Sequence, residues 1–146
     1  METLIRILPI VLSLVILSGC AALPDHRTDN KYSGDWYYDL TGGYYLNSVS
    51  SRCILLVRPS GTTVLAKFFV TDFCMNEEYI AIAGFGMAGF SATEEELECP
   101  ARKFYLVEIS SGTLYGSYKD WDSFQEQCES LEAGDMGRWY STKDLP

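Results

Sequence analysis

Residues 103–131 read KFYLVEISSGTLYGSYKDWDSFQEQCESL, and this one run sets out a strand, a turn, a second strand and a capped helix. Lys103–Ile109 and Thr113–Ser117 are rich in the aromatic and branched residues that suit a pleated, half-buried surface. Ser110-Ser111-Gly112 between them is a turn signal. Asp120 is an N-cap residue, and Trp121, Phe124, Cys128 and Leu131 then recur at helical spacing. Asp122, Gln125, Glu126, Glu129 and Glu132 occupy the opposite face, and Gly134 supplies a C-terminal stop. An apolar helical stripe must bury against something, and the only partner this chain offers is a sheet.

Upstream, the same composition predicts strands at Trp36–Leu40, Tyr44–Ser48, Arg52–Arg58, Thr62–Phe73 and Tyr79–Gly84, and a short eighth at Arg138–Ser141. Thr41-Gly42-Gly43, Pro59-Ser60-Gly61 and Asn76-Glu77 punctuate them. Short connections favour antiparallel neighbours. The expected fold is therefore α+β: mainly an antiparallel β-meander of about seven to eight strands, with one C-terminal amphipathic helix packed on the sheet. A single β-rich domain is expected over 32–146. Alternation in the first hairpin puts Trp36 and Tyr38 on one side and Tyr37 on the other. A turn at Pro59–Thr62 would set Cys53 opposite Phe68.

The first twenty residues carry a different signal. Ile7 to Leu17 is almost wholly apolar, broken by Pro9 and Ser13. Eleven helical residues span roughly 16 Å, about half a bilayer's hydrocarbon core. That suits the apolar region of an export signal and is too short to cross a membrane. Leu17-Ser18-Gly19-Cys20 follows and resembles the lipobox of bacterial lipoproteins. The resemblance implies a signal peptide at 1–19 and acyl chains on Cys20, which would hold the protein on a membrane. It also implies a place on the cell envelope. With Ala21 next, that is the outer membrane of a Gram-negative cell, or the outer face of the plasma membrane of a Gram-positive one. Residues 20–31 then form a lipidated cysteine and a polar tether.

The chain has 146 residues and a net charge of −9. An acidic domain repels nucleic acid and attracts cationic partners. Beyond Cys20 stand Cys53, Cys74, Cys99 and Cys128, an even number in a chain read as exported. Two disulfides are expected. Close pairs that would hold zinc are missing. The strand register disfavours Cys53–Cys74. The preferred pairing is Cys74–Cys99 with Cys53–Cys128, and Cys53–Cys99 with Cys74–Cys128 stays open.

Few patterns point to chemistry. Gly84-Phe85-Gly86-Met87-Ala88-Gly89 fits G-x-G-x-x-G but lacks the long helix and parallel strand of a dinucleotide site. It reads as a flexible glycine loop. Glu94, Glu95, Glu96 and Glu98 form the densest charge, a candidate docking surface for a cationic protein. His26, in the tether, is the only histidine, so a histidine-based triad inside the domain is excluded. Asp35, Asp39, Asp120 and Asp122 are candidates for paired-carboxylate chemistry, although carboxylates at element ends are usually caps. No enzyme activity, cofactor or metal is expected.

From Phe104 to Phe124 the chain is similar to the C-terminal signature of a family of small uncharacterised bacterial lipoproteins, grouped as a domain of unknown function. The likeness lies in Tyr105 and Leu106, the polar turn Ser110 to Gly112, Tyr115-Gly116, Asp120 and Phe124, with Gly43-Tyr44-Tyr45-Leu46 upstream. Ser117 departs from a frequent proline, and the four cysteines are not a family feature. The resemblance implies a small β-rich envelope domain and no activity. The expected function is a non-enzymatic protein-binding or inhibitor module; the alternative is a structural or assembly accessory of the envelope.

Overall fold

The structure is a computed structural model that describes residues 27–29, 35–50, 53–86 and 101–145. Among these, nine strands form two antiparallel sheets, and one α-helix of ten residues lies near the C-terminus. The first sheet runs in chain order through β1 (Arg27–Asp29), β2 (Trp36–Asp39), β3 (Tyr45–Ser50) and β4 (Cys53–Val57). The second comprises β5 (Phe68–Met75), β6 (Tyr79–Gly86), β7 (Arg102–Glu108) and β8 (Leu114–Tyr118), with β9 (Tyr140–Ser141) added outside β5. The helix α1 (Trp121–Ser130) precedes β9.

Two cores divide the molecule into layers. Tyr38, Leu46, Ile54 and Leu56 of the first sheet meet Phe68, Val70, Phe73, Ile80, Ile82 and Val107 of the second. On the second sheet's other face, Cys74, Tyr79, Ala81, Ala83, Phe104 and Leu106 meet Phe124 of α1 and Ala133. The order is sheet, sheet, helix. Strand β6 lies in the middle and is buried from Tyr79 to Gly84. Its isoleucines face the first sheet and its alanines face the helix side, so small side chains let the helical layer approach.

The expected α+β architecture with one late helix is what the chain adopts. Its meander is divided between two sheets, and the division falls inside the strand expected at Thr62–Phe73. After the turn at Pro59–Gly61, Arg58 N donates to Thr62 O (2.8 Å) and Val64 N to Leu56 O (2.9 Å). The ladder then stops. Val64 and Leu65 pack against the inter-sheet core and carry the chain across to β5. Cys53 pairs with Ser50, and Phe68 pairs with Gly86, so the expected facing of Cys53 and Phe68 is corrected.

A β-bulge in β5 sets which side chains reach each core. Val70 pairs with Gly84 and Asp72 with Ala83, leaving Thr71 unpaired in the ladder. The extra residue switches the inward positions from Phe68 and Val70 to Phe73 and Met75. The switch turns Cys74 toward the helix. Thr71 Oγ1 donates to Asp72 Oδ2 (2.7 Å) and Ala83 O (3.2 Å), fixing the bulge.

Two boundaries differ from the sequence reading. Arg27–Asp29, expected in the tether, forms an edge strand paired with β2, so the folded unit reaches back to at least residue 27. Edge pairing uses backbone groups and needs no apolar pattern. Arg27 also stacks over the Trp36 ring at 5.2 Å and pairs with Asp29 at 2.6 Å. The expected glycine loop begins as strand: Gly84, Phe85 and Gly86 belong to β6. Residues 87–89 lie outside the described residues.

The helix starts where its cap residue stands. Asp120 Oδ1 accepts from Ser123 N at 2.8 Å, and this hydrogen bond holds its carboxyl below the usual carboxylate range. A depressed folded-state pKa contributes stability that is fully present above the unfolded value and lost as pH falls through the folded one. Asp120→Ala is therefore expected to lower the melting temperature by a few degrees near neutral pH. The gap should narrow and close as pH falls below the ordinary carboxylate range. A melting series across that range checks it. The helix ends at Ser130, four residues before the expected stop, and Gly134 serves the following turn with φ +70°.

Candidate functional site

A cleft of about 460 Å³ opens between α1 and the segment 133–139. Trp121, Phe124 and Trp139 form its apolar part, with Cys128 and Met136. Trp121 and Trp139 meet edge to face at 5.9 Å, and Phe124 lies 5.6 Å and 6.0 Å from them. Phe104 of β7 stacks beneath Phe124 at 5.5 Å. Phe124 is 2% exposed, whereas Trp121 is 42% exposed, a large apolar surface left to solvent. Glu129, Glu132 and Asp135 line the same cleft, and among the described residues no lysine or arginine does.

The wall opposite the helix is held by one side chain. Asn76, in the β5–β6 turn, accepts at Oδ1 from the backbone of Glu78 (2.9 Å) and Tyr79 (2.8 Å). Its Nδ2 donates to Ala133 O at 2.7 Å and to Asp135 O at 3.4 Å. Ala133 N donates in turn to Cys128 O at 2.9 Å. The helix end, segment 133–135 and the β5–β6 turn are thereby joined. Gly134 and Gly137, at φ +70°, let the chain turn twice along this wall.

The arrangement suits a cationic group. Tryptophan faces attract cations by about 0.5 to 2 kcal/mol, and three carboxylates supply the complementary charge. Among the described residues, no three His, Cys, Asp or Glu side chains gather as a metal site would need. Asp120 is committed to the helix cap, and Asp39 stands at the end of β2 in the other sheet.

The sequence-derived candidates fall elsewhere. Glu94, Glu95, Glu96 and Glu98 lie outside the described residues, as do Cys20 and Cys99. Cys53, Cys74 and Cys128 stand as free thiols, where disulfides were expected. Cys53 alternates with the inward Ile54 and Leu56, so it faces away from the second sheet. Cys128 lies beyond that sheet, in the helical layer. Packed sheets are about 10 Å apart, which exceeds the 7 Å Cα reach of a disulfide. The preferred Cys53–Cys128 bridge is corrected on that ground.

Trp36 and Tyr38 do share the core side of β2, as alternation predicts. Tyr37 and Tyr45 meet on the outer face at 5.9 Å. Trp139, Asn76, Asp135 and Met136 were not legible as site residues. They come from two separate stretches, residue 76 and residues 135–139, and only the fold brings both to Trp121.

No protein family, curated protein or solved structure matches this chain. Among the described residues, no helix is long and apolar enough to cross a membrane.

Proposed function

We propose that this protein is a non-enzymatic binding module, lipid-anchored through Cys20 on the cell envelope, that captures a cationic protein. The cleft between α1 and segment 133–139 is its binding face. The observation that carries the reading is the pairing of an exposed tryptophan wall with a rim of Glu129, Glu132 and Asp135 that, among the described residues, no lysine or arginine shares. A lysine or arginine side chain of the partner would lie against Trp121 and Trp139 while its charge meets the rim. Net charge of −9 adds long-range attraction for a basic partner. An inhibitor of a cationic hydrolase or toxin fits this description.

A second reading has its own observation. The first sheet's outer face exposes Tyr37 (36%) and Val49 (46%) beside Tyr45, a surface suited to apolar contact with an envelope neighbour. Salt separates the two, because exposed charge pairs are screened and apolar contacts are not.

Envelope and secreted extracts should be passed over the immobilised chain and over a Glu129→Gln, Glu132→Gln, Asp135→Asn variant. The expected result is a basic protein held by the unaltered chain at low salt, released at high salt and held at least tenfold less by the variant. Equal retention by both columns would remove the cleft from the account. Retention insensitive to salt and lost on Tyr37→Ser would favour the assembly role.

A further inference from the structure

The structure assigns Cys74 and Cys128 to each other as the two ends of a disulfide that fastens β5 to α1 beneath the cleft. This inference is independent of what the cleft binds. It reverses the preferred sequence pairing and leaves Cys20, Cys53 and Cys99 as the remaining cysteines.

Three observations carry it. The bulge at Thr71 turns Cys74 to the helix side of its sheet, where it is 0% exposed. Cys128 belongs to the helix stripe that packs on the same cluster. The residue paired with Cys74 is Ala81, and Ala83 follows on that face, so only a methyl group of β6 stands beside Cys74, while Tyr79 on the same face reaches past it to donate to Leu131 O at 3.4 Å. Hydrogen bonds then fix the relative position of the two. Cys128 O accepts from Ala133 N, and Ala133 O accepts from Asn76, two residues beyond Cys74. Cys53, by contrast, faces outward from the far sheet.

The reaction is thiol–disulfide exchange with a low-molecular-weight disulfide or a dithiol oxidase as oxidant. Cys128, the more exposed thiol, loses its proton and attacks the oxidant's disulfide, releasing one thiol and forming a mixed disulfide. Cys74 then loses its proton and displaces the second thiol. Two protons and two electrons leave the protein, and one oxidant disulfide becomes two thiols. Burial pushes the Cys74 thiol up to about 12, with Cys128 and Asp135 adding to the effect, and burial raises Cys128 as well. Oxidation should therefore be slow at neutral pH and faster in mild alkali.

The test is peptide mapping of the full chain after equilibration in a buffer of oxidised and reduced glutathione, with free thiols alkylated before digestion. The expected result is a peptide pair joining Cys74 to Cys128. The same pair should form in a Cys53→Ser, Cys99→Ser variant, and reducing it should lower the melting temperature by about 10 °C. Cys74 joined to Cys20, Cys53 or Cys99 would overturn the assignment. So would Cys74 and Cys128 both alkylated in a protein whose other thiols are bridged. The location of the protein does not enter, because the oxidant is supplied.

Discussion

Gly84→Ala is expected to lower the melting temperature by about 10 °C or more, a loss of roughly 3 kcal/mol. A β-carbon at this position would stand 1.8 Å from the carbonyl oxygen of Phe69 and 2.8 Å from its carbonyl carbon. Both are backbone atoms of β5, so no side-chain rotation relieves the overlap. The two strands would have to part where they are most buried, between Val70–Gly84 and the bulge at Thr71. Separation there would break ladder hydrogen bonds and disturb both cores, because the bulge assigns Phe73 to one and Cys74 to the other. Gly86→Ala is the control. Among the described residues its β-carbon would meet only Lys67 O, at 3.9 Å, so it should change stability by less than about 1 kcal/mol. Thermal melts of the two variants side by side check the pair. Equal effects would mean that close strand approach is not what glycine provides at residue 84.

Phe124→Ala is the second large effect. Removing a buried phenylalanine costs about 3 to 5 kcal/mol through lost transfer and the cavity left behind. Here the ring contacts Phe104, Trp121, Trp139 and Tyr118 at centroid distances of 5.5, 5.6, 6.0 and 6.3 Å. It is the only residue of α1 that is fully buried. The helix should come away from the second sheet, with loss of near-ultraviolet ellipticity and a red shift of tryptophan emission. Trp121→Ala should cost much less stability, about 1 to 2 kcal/mol, because that ring is already 42% exposed. On the present account Trp121→Ala nevertheless weakens partner binding at least tenfold. The two variants thus separate the residue that holds the helix from the residue that faces the ligand.

How much of this was legible depends on how local each signal is. Asp120 and the stripe Trp121, Phe124, Cys128 and Leu131 lie within a dozen residues, and they place the helix and its buried Phe124 without help, though Trp121 of that stripe is left 42% exposed. Alternation in Trp36–Asp39 sorts core from surface correctly for the same reason. Gly84 is different. Its spacing to Gly86 and Gly89 imitates a loop motif, and the fact that decides its role is a carbonyl of Phe69 on the neighbouring strand. The bulge at Thr71 is equally silent, because Phe68-Phe69-Val70 and Phe73-Cys74-Met75 put apolar residues on both faces either side of Thr71-Asp72, whichever side chains point inward. The splitting of the meander into two sheets follows from where Val64 and Leu65 bury, which no turn signal reports. The preference for Cys53–Cys128, drawn from strand register, is affected by the same cause. A pairing argued from one continuous hairpin does not survive when β4 and β5 belong to different sheets. The cleft draws Asn76, Trp121 and Trp139 together from positions far apart in sequence, and its wall depends on a side-chain to backbone bond between residues 76 and 133.

The most direct test of the central claim uses the three tryptophans as reporters. Trp36 packs against the inter-sheet core, while Trp121 and Trp139 line the cleft. Their indole N–H signals can be followed by nuclear magnetic resonance as a lysine- and arginine-rich peptide is added at low salt. The Trp121 and Trp139 signals are expected to move, Trp36 to stay, and the movement to vanish in the Glu129→Gln, Glu132→Gln, Asp135→Asn variant. Movement of Trp36 alone, or no movement at the cleft, would contradict it.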